Sequence, residues 1–312
     1  MGRVSSISSP TVSDSKRARS LGRSVRAYVA LTKPRVIELL LVTTAPAMVL
    51  AERGIPDLWL VLGTLLGGAM SAGSANAFNM YIDRDIDQLM ARTKGRPIVT
   101  GDISASAALV FATILGVASI ALLWVVANPL AAMLSLAAIL FYVIIYTMLL
   151  KRRTEQNIVW GGIAGCFPVL IGWAAVTGSL SVEPWILFLI IFVWTPAHYW
   201  PLSLRYVDDY AAASVPMLSV LRPRVAVGLQ VILYAWATVV ASLILIPAGN
   251  MGPVYTAVSV LVGGWFALEA HRLYNKTVDG IEASAMRVFH ASNTYLTVLF
   301  VAVALDPLIV LT

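Results

Sequence analysis

Charge is scarce in this chain. Of its 312 residues, 12% are Asp, Glu, Lys or Arg and 59% are hydrophobic. A soluble domain carries roughly 25% charged residues. Half that share leaves too little polar surface to cover a particle in water, so a water-soluble globule is excluded and an integral membrane protein is expected. The single cysteine, Cys166, excludes an intramolecular disulfide; its apolar sequence neighbours suit a buried thiol. Three histidines, His198, His271 and His290, are too few for a dedicated metal cage built from imidazoles.

An apolar run is also missing from the start. Residues 1–27 are rich in Ser, Arg and Lys and read as a disordered basic tail; residues 28–312 read as one transmembrane domain. A cleavable signal peptide pairs a short basic region with a short apolar core. Here the first apolar stretch is full length, so it reads as a retained span. Windows of about 20 apolar residues, enough to cross a bilayer, lie at 34–52, 58–80, 105–127, 129–150, 157–178, 184–204, 224–247, 252–271 and 289–310. They predict an all-α bundle of nine transmembrane helices. The narrowest break is Asn128-Pro129, a helix stop followed by a new start.

Positive charge tests that count. Cytoplasmic loops collect Lys and Arg. With the N-terminus cytoplasmic and nine alternating spans, the C-terminus falls outside. Every one of the 22 basic residues except Arg53 then lies on the inner side. The outer connections are short, whereas the inner ones at 81–104 and 205–223 are long enough to carry function.

The first of these loops reads NMYIDRDIDQLMARTKGRP, residues 79–97. At 100° per residue, Asn79, Asp83 and Asp87 fall within about 80° of one another on one helix face. Asp85 points elsewhere. An amide and two carboxylates at a span end offer hard oxygen ligands for Mg²⁺, which also keeps waters and takes phosphate oxygens. Arg92, Lys94 and Arg96 follow, and Pro97 ends any continuing helix. Acids beside cations at a membrane mouth suit a diphosphate bridged by metal on one side and clamped by Arg on the other. Acids at a span edge are otherwise costly.

The second loop begins HYWPLSLRYVDDYAAASVPML, residues 198–218. Spacings of seven and eleven put His198, Arg205 and Asp209 on one helical stripe. Asp208 and Asp209 together could hold a second metal ion, or could cap the helix with Arg205 as ion-pair partner. In a third segment, LLKRRTEQNIVWGG at 149–162, Lys151, Arg152 and Arg153 are either phosphate ligands or membrane anchors. Asn157 reads as a helix cap, and Gly161 and Gly162 as close-packing positions rather than a phosphate loop.

Taken together, these segments resemble the intramembrane aromatic prenyltransferase (UbiA) superfamily. The pieces that match are LTKPRVIELLLVTTAPAM at 31–48, the 79–97 segment, YTMLLKRRTEQNIVWGGIAG at 146–165, the stretch 270–295 and, last, TPAHYWPLSLRYVDDYAAASVPML at 195–218. The last of them is similar to the branch that farnesylates haem. This chain departs from that branch at Ala197, where a second Pro is usual, at Ser214, where Gly is usual, and at Ser219-Val220-Leu221, where Pro-Val-Val is usual.

The resemblance implies transfer of the farnesyl group of farnesyl diphosphate to a vinyl group of haem B, with water addition, giving haem O. It implies Mg²⁺ on Asn79, Asp83, Asp87, Asp208 and Asp209, and diphosphate on Arg92, Arg96, Lys151 and Arg153. His198, Arg205, Tyr206 and Tyr210 would face the acceptor, and Tyr81, Tyr142, Tyr146 and Trp200 could shield a cation or simply pack. The expected setting is a bacterial inner membrane, ahead of a mitochondrial one, with a haem A synthase or oxidase-assembly factors as partners and no nucleic acid. Two rivals stand beside this reading. A quinone-type prenyltransferase would use a hydroxylated aromatic acid instead of haem. A cation-coupled transporter would place charge near the bilayer midplane, whereas the central thirds of these spans are nearly free of it.

Overall fold

The computed structural model describes residues 21–281 and 284–310. Among them there is no strand, and nine helices are long and apolar enough to cross a membrane. The chain is a multi-pass membrane protein. Its spans are α2 (Pro34–Glu52), α3 (Leu58–Ile82) and α5 (Ala105–Val126); then α6 (Pro129–Leu140), continued by a π-helix over Phe141–Leu150. Next comes a broken span of α7 (Asn157–Gly161), a 3₁₀ turn (Gly162–Cys166) and α8 (Phe167–Thr177). α9 (Val182–Arg205), α12 (Arg224–Ala248), α13 (Pro253–Val278) and α14 (Ala285–Val310) complete the set. Short helices α4 (Arg84–Asp87), α10 (Val207–Ala212) and α11 (Leu218–Leu221) occupy the two long loops.

Local chemistry sets the span ends. Asp57 opens α3 by accepting from the Leu60 amide at 2.9 Å, and Ser104 opens α5 through the Ala107 amide at 3.2 Å. At the narrow break, Asn128 Oδ1 accepts from the Ala131 amide at 3.0 Å, with Pro129 in the first turn of α6. Nine spans, their order and this break are as the sequence reads.

Successive spans pack on one another, and α14 returns to contact α2 and α9, which closes the bundle. The outward faces are apolar: Val125 is 82% exposed and Leu261 72%. Nine spans' worth of such surface suits a lipid environment. Inside, α3 meets α5 through small residues. Ser74 donates to the Ala112 carbonyl at 2.7 Å, and Ser119 to the Gly67 carbonyl at 2.8 Å. Close approach is what small residues provide where lipid supplies no hydrophobic drive.

One boundary differs. The basic tail was expected to reach residue 27, but Leu21–Thr32 form a helix, α1. Residues 1–20 lie outside the described residues. α1 holds because its apolar positions repeat at helical spacing: Ala27 and Leu31 are buried against Ala77 and Met80 of α3 and Ala108 and Ala112 of α5. Arg23 and Arg26 stay exposed on the other side. Tail composition hid a short amphipathic stripe.

Candidate active site

The end of α3 carries the first candidate set. Asp83 ends the helix, yet its amide still bonds the Asn79 carbonyl at 2.9 Å, and the Asp87 amide bonds the Asp83 carbonyl at 2.9 Å. Helical spacing therefore survives across the short break into α4. Asn79, Asp83 and Asp87 are all buried, at 2%, 0% and 1% exposure. Asn79 Nδ2 donates to Asp83 Oδ2 at 2.6 Å and to Thr147 Oγ1 of the π-helix at 3.3 Å.

Cations converge on these oxygens. Lys151, just past the π-helix, is paired with Asp83. Arg96 donates to Asp87 Oδ2 at 2.6 Å. Arg152 grips Asp85 through two bonds of 2.7 Å and touches Asp83 at 3.5 Å. That grip holds the Asp85 carboxyl down at about 2. Asp85 is thus the paired outsider that the helix geometry suggested. Lys33, at the entry of the first span, is one of the basic residues that the charge count puts on the inner side. Its ammonium reaches Asn79 Oδ1 at 2.8 Å. Burial pushes the Lys33 pKa well below the usual lysine range, and Arg96 and Lys151 push the same way.

The donor set fits a divalent cation in one respect. Asp87 Oδ1 is buried and has no hydrogen-bond partner. A buried carboxylate oxygen left bare is costly unless a cation or water meets it. Two carboxylates and an amide form only a partial shell, and no three or more His, Cys, Asp or Glu side chains among the described residues gather into a metal site. Waters or phosphate oxygens would have to complete it, which is the coordination Mg²⁺ prefers.

The second set behaves differently. Asp209 Oδ1 accepts from the Ala91 amide at 3.0 Å and Oδ2 from the Arg92 amide at 3.2 Å. The two loops are therefore clasped at one membrane face, but this carboxylate is spent on backbone. Asp208 is exposed and has no side-chain partner among the described residues. The pair does not merge with Asp83 and Asp87 into one acid cluster.

Arg92 lies over the rings of Tyr206 and Tyr210, at 5.2 and 5.8 Å to their centroids, and donates to the Tyr210 hydroxyl at 3.3 Å. Tyr210 also meets the Tyr199 hydroxyl at 2.9 Å. Burial, with Tyr199 beside it, pushes the Tyr210 phenol up. Arg153 and Arg205 are exposed and have no side-chain partner among the described residues. His198 is stacked between Trp194 at 4.2 Å and Phe289 at 4.6 Å, with Nδ1 2.8 Å from Ser292 Oγ. Its contacts join α9 to α14, so it is a satisfied interhelical histidine that does not touch the acid cluster. Trp200 is buried edge-on to Tyr234, and Tyr81 lies beneath Arg84, so both pack.

Behind the acids lies a cavity of about 140 Å³. Gly68, Ser71, Ala72, Ala75 and Asn76 of α3 line it, opposite Leu40, Ile139 and Tyr142. Spacings of three and four put this wall on the face that continues to Asn79 and Asp83. A small-residue furrow thus leads from an apolar slot to a charged mouth. Gly161 shapes the neighbouring wall: a Cβ there would sit 2.2 Å from the Tyr146 ring. It is a packing glycine, as the sequence suggests.

Sequence reasoning missed Lys33, Thr147, Tyr199 and the clasp made by Asp209. The signal for Lys33 was present: a lysine directly before Pro34, at the entry of an apolar span, in the matching 31–48 segment.

Known proteins align with nearly the whole chain. The profile of the UbiA prenyltransferase family matches residues 40–293. A protein of Clavibacter michiganensis subsp. michiganensis (strain NCPPB 382) named protoheme IX farnesyltransferase is 65% identical over 289 residues, covering 93% of this chain and 94% of its own. One of the same name from Pseudarthrobacter chlorophenolicus is 58% identical over 308 residues, covering 98% and 97%. Among solved structures, an apo UbiA homolog from Aeropyrum pernix K1 superposes with a TM-score of 0.70 at 18% identity, covering 86% of this chain and 97% of that one. A UbiA homolog from Archaeoglobus fulgidus bound to GPP and Mg²⁺ gives 0.66 at 16%, covering 89% and 99%. At such identities the likeness carries the fold.

Proposed function

Because the chain belongs to the UbiA prenyltransferase family, we propose that it transfers the farnesyl group of farnesyl diphosphate to a vinyl group of haem B, giving haem O and diphosphate. The observation that carries this reading is one helix face that lines an apolar cavity and ends in Asn79 and Asp83. A farnesyl tail needs the first part and a diphosphate head the second. Relatives named protoheme IX farnesyltransferase, at 58% and 65% identity, support haem as the acceptor.

In this reading the slot shields the C15 chain from water, with the Tyr142 ring at its wall. Asn79, Asp83 and Asp87 would hold Mg²⁺, and the bare Asp87 Oδ1 favours that role. Bound there, Mg²⁺ supplies charge neutralisation to the leaving diphosphate. Asp209, tied to the 91–92 backbone, acts as a loop clasp, which leaves Asp208 as the member of its pair able to join a second ion. Lys151 and Arg96 sit on the acids and within reach of whatever binds them, and Arg92 and Arg153 extend the basic rim. As the allylic C–O bond breaks, its electron pair leaves with the diphosphate, and these fixed cations stabilise the developing charge. The vinyl π electrons form the new C–C bond. Water adds at the resulting cation and loses a proton. Tyr206, Tyr210 and Arg205, on the loop clasped across the mouth, are the residues best placed to face the haem. His198 serves as interhelical packing.

The basic residues around the mouth support a cytoplasmic opening, and bacterial relatives support the plasma membrane as the site. The product would pass to a haem A synthase or oxidase-assembly factors. The test is mass spectrometry of haem extracted from cells making the protein. Wild type is expected to yield a farnesylated haem that disappears in Asp83→Ala. If purified protein instead prenylates a hydroxylated benzoate or naphthoate and leaves haem B unchanged, the quinone-type alternative replaces this one.

A further inference from the structure

Four basic side chains bond to the side chains of Asn79, Asp83, Asp85 and Asp87, and three of them sit on an acid: Lys151 on Asp83, Arg96 on Asp87, and Arg152 on Asp85 and Asp83. Lys33 does not. Its ammonium meets only the neutral amide oxygen of Asn79, at 2.8 Å. Among these four, Lys33 is therefore the one whose hydrogen-bond partner is not a carboxylate. We propose that Lys33 is a diphosphate-binding residue, held on Asn79 while the site is empty and transferred to the diphosphate when substrate enters.

The elbow around it is built to hold that position. Lys33 joins α1 to α2 in a left-handed conformation, with φ of 54° and Pro34 following. A lysine rarely adopts this backbone, and such strain persists only where surroundings impose it. Two residues on the cavity-lining face of α3 do so. Asn76 Nδ2 holds the Thr32 carbonyl at 2.9 Å, and Asn79 holds the Lys33 ammonium. The elbow is pinned one helical turn along the face that ends at Asp83. From there the flexible stem needs only a change of rotamer to exchange an amide oxygen for a phosphate oxygen. The exchange also frees Asn79 Oδ1 for the role of ligand proposed above. Charge-assisted bonds to phosphate are roughly twice as strong as neutral ones, so the exchange runs toward the diphosphate.

The inference rests on the proposed function, and its test separates the two. Inorganic pyrophosphate is titrated into purified full-length protein, in EDTA and again with Mg²⁺, and farnesyl diphosphate turnover is measured alongside. Lys33→Gln keeps a donor for Asn79 but no charge. It is expected to bind pyrophosphate about 10-fold more weakly in both buffers and to raise KM for farnesyl diphosphate with little change in kcat, while its melting temperature holds. Lys33→Arg is expected to stay within about 3-fold of wild type. Binding by Lys33→Gln within 2-fold of wild type overturns the inference and leaves the proposed function standing. Wild type that binds neither pyrophosphate nor farnesyl diphosphate overturns both. Should Lys33→Gln not fold, Lys33→Arg decides alone: a folded, charge-keeping variant that loses 10-fold refutes the exchange.

Discussion

Two buried carboxylates, Asp83 and Asp306, sit at opposite kinds of site. Asp306 is 1% exposed, and both of its oxygens accept backbone amides, from Gly252 and from Tyr255. Gly252 precedes α13 and has no side chain to cap it, so α14 lends one. Asp83 is equally buried, at 0%. Its oxygens instead meet Lys151, Arg152 and Asn79, all side chains that can move. An acid fixed by backbone donors belongs to the fold. An acid neutralised by rearrangeable cations, next to a bare oxygen on Asp87, is ready for something that comes and goes. Burial alone does not separate the two cases; the partners do.

Exchanging each for a neutral or truncated side chain should break the comparison most sharply. Asp83→Asn is expected to lower kcat/KM by about 10³-fold with little change in melting temperature in detergent. Asp306→Ala is expected to do the reverse, costing about 2 kcal/mol of stability through the uncapped amides and leaving turnover per folded molecule intact. Equal losses of both properties in both variants would end the distinction.

Asp209 is the intermediate case, a carboxylate on backbone donors at the mouth itself. Asp209→Ala should loosen the 91–92 segment and misplace Arg92. A rise in KM of about 10-fold is expected, with Asp209→Asn recovering part of it because one amide keeps its acceptor. An unchanged KM would show the clasp to be ornamental.

The smallest effect concerns Ser214. It stands where the resemblance leads one to expect Gly, and its φ is 53°. The left-handed conformation costs a non-glycine residue about 1–2 kcal/mol, offset by the roughly 0.5–1 kcal/mol of entropy that glycine loses on folding. Ser214→Gly should therefore stabilise the chain by about 0.5 kcal/mol, read as a slight rise in melting temperature with turnover unchanged.

Most of the fold was legible because lipid imposes one strong rule. Every span had to be a run of about 20 apolar residues, and Asn128 and Pro129 marked the narrowest join. The acid face at 79–87 was legible because helical spacing continues past the span end. Beyond the α1 stripe hidden in the tail, three features of the mouth show why other parts were not. Hydropathy cannot distinguish π from α winding, so Phe141–Leu150 read as an ordinary helix end. A lysine at a membrane boundary looks the same whether it anchors the helix or reaches a buried amide, which hid Lys33. Asp208 and Asp209 looked like two ligands, and only tertiary contact with Ala91 and Arg92 reveals that one of them is occupied by backbone.

The π-helix has a consequence of its own. Its winding aligns the Lys151 amide with the Tyr146 carbonyl, five positions back, at 2.9 Å, and delivers the Lys151 ammonium to Asp83. One α-helical position corresponds to about 100° of rotation. Loss of a single residue between Phe141 and Leu150 would let the segment relax into an ordinary α-helix, still apolar and still long enough to span, but aimed elsewhere. In this stretch the chain could shorten by one and keep its place in the bilayer, yet swing a cation out of the mouth, so indels here are screened by chemistry and not by insertion.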